Sequence, residues 1–363
     1  MLRTISHGLL KDTIKKFKPV FANKVFVVFS NRKDLQEVTS KSPLIIFLGE
    51  DAMQVEKETR SALSGIVGRA LGKLKRLSAK IGGTIFQAQF LLLKTLKDKA
   101  RGRDMVYLGN NRALTRTVWG HKMFLDTRDV SLTPHFLLDG YWEMWITKVF
   151  MKIVREGMTM VEVGANIGYY TLLAASRVGV HGKVYAFEAN PQVFEILYRN
   201  IEVNGFLDRV TLVNKAVIDR SGSLTFHCPK YHQAGGSIVP FSDEFLKEKR
   251  EKSETIEVET VSLDEYFAHQ HGKIDILKID AEGAEPFIFR GMKKLLAGNS
   301  DIKIVCEFTP PRYASQGLDP SAFLNEILKQ GFKVKLINLQ SKLENISIER
   351  LLEIPYSEVL IER

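Results

Sequence analysis

An α/β fold built on a doubly wound, mostly parallel sheet is what this chain predicts, on three observations. Strands alternate with helices from residue 158 to 337, the order that lays helices on both faces of a parallel sheet. Within that run, residues 161–190 read VEVGANIGYYTLLAASRVGVHGKVYAFEAN: an apolar strand, a glycine turn, a helix and a second strand ending on an acid. Finally, Glu162, Glu188, Asp280 and Glu307 all fall in or just past predicted strands, where open α/β sheets bind ligands.

In chain order, residues 1–23 have the pattern of a short basic amphipathic helix, and 26–29 and 44–48 are strand-like apolar runs. Residues 54–101 have helical composition interrupted by glycines, with Arg69, Lys73, Lys75, Arg76 and Lys80 interleaved among Ile66, Val67, Leu71, Leu74 and Leu77. A polar linker is expected over 104–112, strands over 117–125 and 130–132, and one aromatic-rich helix over 136–153. Glu143 is an acid inside that aromatic neighbourhood, just ahead of the glycine turn, and is expected to face the ligand. These features divide the chain into a basic N-terminal region, 1–104, with a small α/β lobe plus amphipathic helices, and a second domain, 105–363.

The second domain is regular. A buried strand over 158–163 leads into the turn 164–168 and a helix starting near Tyr169; the strand 185–187 then ends on Glu188. A helix over 191–204 opens on Pro191 and closes on Asn204-Gly205. Short strands over 210–213, 216–218 and 223–227 precede an irregular insert, 229–240, and a charged stretch to 252. Residues 255–261 alternate as an exposed or edge strand, and Ser262 caps a helix over 263–269 with Glu265 in its first turn. The buried strand 274–279 runs into Asp280-Ala281-Glu282-Gly283-Ala284-Glu285, and a helix over 285–296 follows. Strands over 302–308, 332–337 and 356–361, with a helix over 320–330, complete the chain.

Composition narrows the function. With 363 residues and 45% hydrophobic content the chain can bury a sizeable core. Two cysteines give neither a disulfide framework nor a metal cluster, which points to a reducing, cytoplasmic compartment. No apolar run approaches the ~20 residues of a membrane span, and the N-terminus lacks the apolar core of a signal peptide. The net charge of +10 is lopsided: residues 1–103 hold 21 Lys/Arg against eight acids, and the remainder 31 against 34. The basic segment 61–103 suits packing on the second domain or a peripheral contact with an anionic membrane surface. Nucleic acid fits it less well, since no aromatics interleave in the basic run from Arg69 to Lys80 and no nucleic-acid module is recognisable.

The turn itself reads Gly-x-Asn-x-Gly. Its glycines permit dihedrals a Cβ would forbid, and the helix after it aims free N–H groups at a ligand. Glu188, about 20 residues on, is placed to accept hydrogen bonds from ribose hydroxyls. A dinucleotide site would want a second glycine where Asn166 stands, to make room for a pyrophosphate. Glu162, two residues before the first glycine, would repel a pyrophosphate yet attract a sulfonium or ammonium.

The series VEVGANIGYYTLLAA, FEANPQVFEILYRNIEVNG, VTLVNKAVIDRSGSLTF, GGSIVP, VETVSLDEY and IDILKIDAEGAEPFIFRGM resembles the FkbM family of S-adenosylmethionine-dependent methyltransferases, from about residue 117 onward. The resemblance implies a class I methyltransferase fold with a seven-stranded sheet whose last strand, 356–361, runs antiparallel. It implies S-adenosyl-L-methionine as cofactor, held by Glu143, Glu162, Gly164, Ala165, Asn166, Gly168, Glu188, Ala189, Lys215, Ala216 and Asp280. Asp280 is the first candidate base, with Glu282 beside it and His135 and His232 as alternatives on loops. Gly236, Ser237 and Glu307 are expected on the acceptor side, and no ligand set of recognisable spacing supports a metal.

The resulting expectation is methyl transfer to a hydroxyl of a glycan, glycolipid or related small metabolite, in the cytoplasm and peripherally at a membrane. Two alternatives remain open at this level: an RNA methyltransferase using the basic N-terminal region, and a scaffold that binds the cofactor without turnover. Neither the acceptor nor the oligomeric state is readable from the residues.

Overall fold

The computed structural model describes residues 27–29, 45–47, 105–269 and 272–363. The chain forms two compact units, Met1–Ala100 and Arg101–Arg363. In the first, strands Val27–Phe29 (β1) and Ile45–Phe47 (β2) pair in parallel. The helices expected over 1–23 and 54–101, and the basic segment 61–103, lie outside the described residues.

The second unit opens on an antiparallel meander of Val106–Gly109 (β3), Arg112–Arg116 (β4) and Lys122–Asp126 (β5), so the expected linker contains a strand. Next come Thr159–Val163 (β6), Lys183–Phe187 (β7), Val210–Val213 (β8), Ala216–Val217 (β9), Gly222–Pro229 (β10) and Ser253–Val261 (β11). Ile276–Ile279 (β12), Lys303–Phe308 (β13), Lys333–Ile337 (β14), Leu343–Asn345 (β15) and Ser357–Glu362 (β16) complete the strands.

The central sheet has the order β15-β14-β16-β13-β12-β6-β7-β8. The strands from β8 to β13 are parallel, and β16 runs antiparallel to both neighbours, as expected for the last strand. The sheet has eight strands where seven are expected. The extra one, β15, hairpins onto β14 through a turn in which the Asn338 side chain accepts from the N–H groups of Gln340 and Lys342. Every residue of β15 is exposed, so no hydrophobic pattern announces it.

Alternate residues of each strand enter opposite cores. Met160, Ile276, Val305 and Leu360 pack on one face with helices Met144–Ile153 and Tyr169–Val178. Val161, Leu277, Ile304 and Val359 pack on the other, with helices Glu285–Arg290 and Pro320–Lys329. Along the first face the apolar side chains give way, toward the carboxyl ends, to ionisable ones. Glu162 and Lys278 are register partners across β6 and β12, and Glu307 and Glu358 are partners across β13 and β16.

The helix expected over 285–296 divides into Glu285–Arg290 and Lys293–Gly298, and the strand expected over 117–125 begins only at Lys122, after a turn from β4. Further expected elements differ, each for a local reason. The helix expected over 136–153 divides into Thr133–Leu138 and Met144–Ile153, because Gly140 and Glu143 take positive φ, +66° and +38°. The strand expected over 130–132 is instead a loop wrapped on Asp129, whose carboxylate accepts from the N–H groups of Ser131, Leu132 and Thr133. The edge strand expected over 255–261 is the middle of the sheet β10-β11-β9, its alternation reflecting a layer with one solvated face. Ser262 caps the following helix in a full capping box with Glu265, and that helix stops at Tyr266.

Candidate functional site

The turn after β6 is tied to the end of β7 by backbone bonds from Gly164 and Ala165 N–H to the Phe187 carbonyl, 3.0 and 2.9 Å. Asn166 sits at φ +50°, a left-handed conformation that asparagine tolerates better than most residues. Its N–H donates to one Glu188 oxygen at 2.9 Å, and the N–H of Asn190 donates to the other at 2.9 Å. Glu188 therefore joins the glycine turn to the start of helix Pro191–Val203, and each of its oxygens keeps a lone pair free for a ligand hydroxyl. Burial pushes its pKa from the ordinary 4.5 to about 7. Beneath the turn, Glu162 is 1% exposed and accepts the Thr171 hydroxyl at 2.6 Å; burial raises it to about 7 as well.

At the centre stands Lys278, a residue the sequence reading passed over. It projects from β12, 1% exposed, with its Nζ 2.8 Å from an Asp280 carboxylate oxygen and 4.5 Å above the Tyr170 ring. Burial works against its charge, but Asp280, Glu358 and Glu162 outweigh that and raise its pKa. Glu143 reaches the same space from the start of helix Met144–Ile153 and accepts the Tyr356 hydroxyl at 3.0 Å. Burial, and then the charge of Asp280, push Glu143 up to about 7.

The far wall comes from the loops after β12 and β13 and from β16. Glu282 pairs with Arg312 at 2.8 Å, which opposes a rise to about 7 caused chiefly by burial. Glu285 is wholly buried and accepts from the N–H groups of Ala281 and Gly283, so it shapes the loop. Glu307 is 2% exposed and one of its oxygens has no hydrogen-bond partner; Glu358, across from it, has none for either oxygen. Burial raises both pKa values well above the carboxylate range.

Of the residues expected here, Glu143, Glu162, Gly164, Ala165, Asn166, Glu188, Ala189, Lys215, Ala216, Gly236, Asp280, Glu282 and Glu307 line one cleft enclosing about 1120 Å³ of solvent-open space. Four do not line it. Gly168 is a packing glycine: a Cβ there would lie 2.6 Å from Leu197 Cδ1, between helices Tyr169–Val178 and Pro191–Val203. Ser237 is fully buried below the surface, donating to the Glu282 carbonyl and accepting from Val239 N–H. His135 lies half exposed against the Trp142 ring edge, its carboxylate neighbour Asp139 at 3.9 Å. His232 is held at 2.5 Å by Glu251, which also accepts from the N–H groups of Lys230, Tyr231 and Lys252, so this histidine staples the insert. Lys215 borders the cleft, but its ammonium pairs outward with Glu259 at 2.9 Å.

Beyond Lys278, sequence reasoning missed Tyr356, Tyr170 and Glu358. A lysine inside the buried run Ile276–Ile279 was the available signal, since an unpaired lysine is almost never fully buried. Tyr356 and Glu358 come from the last strand, far from the others in sequence, and carry no local signal.

The residues present fit S-adenosylmethionine. Glu188 offers free lone pairs to a ribose diol, and an excess of buried acids over the single Lys278 suits a ligand with a sulfonium and an ammonium. No helix among the described residues is long and apolar enough to cross a membrane, and no group of three or more His, Cys, Asp or Glu among them is arranged to hold a metal ion.

The family described as the methyltransferase FkbM domain matches residues 162–334. A protein-L-isoaspartate O-methyltransferase of Methanococcoides burtonii is 33% identical over 100 residues, covering 28% of this chain and 47% of the relative. Methyltransferase sdnD of Sordaria araneosa is 26% identical over 155 residues, 37% of this chain and 60% of the relative. The chain thus spans about half of the length of these relatives. Among solved structures, a putative rRNA methylase from Clostridium thermocellum aligns with 14% identity and a TM-score of 0.35, over 59% of this chain and 93% of that one. An S-adenosylmethionine-dependent O-methyltransferase from Thermotoga maritima aligns with 15% identity and a TM-score of 0.34, over 69% and 77%. Over residues 162–334, a little under half of its length, this chain is thus similar to the methyltransferase FkbM domain family.

Proposed function

We propose that the chain transfers a methyl group from S-adenosylmethionine to a hydroxyl oxygen of a glycan, glycolipid or related hydroxylated metabolite. The observation that carries this reading is Asp280, held by Lys278 in the same cleft as the glycine turn. The cofactor supplies an electrophilic methyl group on a sulfonium. Glu188 and the turn hold its nucleoside end, and alignment of this kind is worth up to ~7 to 11 kcal/mol in well-oriented systems. A neutral alcohol must lose its proton to attack, and Asp280, which lines the cleft, is the base in this reading. Lys278 fixes the direction of that carboxylate and balances its charge.

The acid excess supports a hydroxyl over a carboxylate acceptor, such as an isoaspartyl group, and over a phosphate-rich one. Either anion would enter a cleft already lined by Glu143, Glu282 and Glu307. The test is incubation of the protein with labelled S-adenosylmethionine and separated glycan, lipid, RNA and protein extracts. Label in the glycan or lipid fraction, stable to mild base that cleaves methyl esters, is expected. Label confined to RNA or to base-labile protein esters, or no label anywhere, overturns the reading.

A further inference from the structure

We infer that the wall of the cleft over β13 and β16 is a subsite for a protonated amine carried by the hydroxylated acceptor. The inference rests on the methyltransferase reading and adds the chemical class of the acceptor.

Glu307 and Glu358 are register partners on adjacent antiparallel strands, which places their side chains on one face within contact range. Both are 2% exposed, and three of their four oxygens have no hydrogen-bond partner. Glu307 lines the cleft. Buried carboxyls are almost always hydrogen-bonded, so an unpartnered one facing a cavity marks the place of a missing donor. The neighbouring cations are already engaged: Lys278 with Asp280 at 2.8 Å and Arg312 with Glu282 at 2.8 Å. Glu143 adds a further carboxyl to the same space, where it accepts the Tyr356 hydroxyl at 3.0 Å.

The nucleoside end of the cofactor does not account for this wall. Its nucleoside site is at the ends of β6 and β7, and β12 separates β6 from β13, so Glu307 sits about 10 Å across the sheet from the glycine turn. A metal is not indicated, since no such ligand group exists among the described residues. Burial disfavours the ionised form of both carboxyls unless a cation lies against them. An ammonium brings three donors and that positive charge, whereas a hydroxyl brings one donor and no charge.

Two sources supply amino alcohols, amino sugars and long-chain sphingoid bases, and the experiment separates them. The full-length protein is saturated with S-adenosylhomocysteine and titrated calorimetrically with glucosamine against N-acetylglucosamine, and in detergent with sphinganine against N-acetylsphinganine. In at least one arm the free amine is expected to bind about tenfold or more tightly than its acetylated twin, with protons released to the buffer. Glu307→Gln is expected to bring that ratio near one while changing S-adenosylhomocysteine affinity by less than twofold, and Glu358→Gln serves if the first variant does not fold. No preference or no binding in both arms, or a preference that survives the substitutions, overturns the inference. Failure to bind S-adenosylhomocysteine at all would instead overturn the methyltransferase reading.

Discussion

A Cβ built on Gly164 would lie 1.8 Å from the carbonyl oxygen of Asp280. The first glycine of the turn is therefore also the point where the end of β12 closes against the end of β6, and that closure sets Asp280 beside the glycine turn. Gly164 is at φ +80°, so alanine there meets both backbone strain of about 1–2 kcal/mol and a backbone overlap with no flexible atom to yield. Gly164→Ala is expected to lose at least ~2 kcal/mol of unfolding free energy in urea titrations and to bind S-adenosylhomocysteine more than tenfold more weakly. Wild-type values on both measurements would show that the two strand ends are not this close.

Glu188→Ala removes the acceptor of two backbone N–H groups and leaves the turn untied. Hydrogen bonds to a charged group are worth about 1.5–3 kcal/mol, so cofactor affinity should fall roughly 10- to 100-fold by calorimetry. Glu188→Gln should recover part of it, because its one carbonyl oxygen can replace one acceptor. Unchanged binding in the alanine variant would remove Glu188 from the site.

Lys278→Met leaves Asp280, Glu162 and Glu358 without their central cation. Breaking a buried ion pair from one side costs ~3–5 kcal/mol, more than the packing a methionine returns. A lower thermal midpoint and a large loss of kcat are expected, with Asp280→Asn restoring midpoint but not kcat in the double variant. A double variant no more stable than Lys278→Met would show that the pair is not energetically coupled.

Stability of the ligand-free protein should depend on pH in a defined sense. Burial raises Glu162, Glu188 and Glu285 from 4.5 to about 7, so the folded state holds these protons more tightly than the unfolded chain. Their contribution is complete below pH 4.5 and is lost as pH rises through 7, at up to about 1.4 kcal/mol per unit and group. Calorimetric midpoints should fall between pH 5.5 and 8, and less steeply with S-adenosylmethionine, whose sulfonium favours ionised Glu162, than with uncharged-sulfur S-adenosylhomocysteine. A flat or rising profile would contradict the assignment.

The α/β alternation, the glycine turn, Glu188 at the end of β7 and Asp280 at the end of β12 are legible in the residues alone, because each is written in a contiguous stretch. Period, turn residues and strand-end position are local properties. The eighth strand, the divided helix at Glu143 and the meander before it were not legible, since exposed strands and left-handed residues leave no hydrophobic period. Which ionisable groups share the cleft is set by the packed fold. It turned His135 and His232 away from it, placed Gly168 and Ser237 in packing roles, brought Lys278 and Tyr356 in, and set Glu358 across from Glu307. Register is the cause: whether Glu358 faces Glu307 depends on how β16 pairs with β13 across some fifty residues of chain, and a one-residue slip of β16 would send Glu358 to the opposite core.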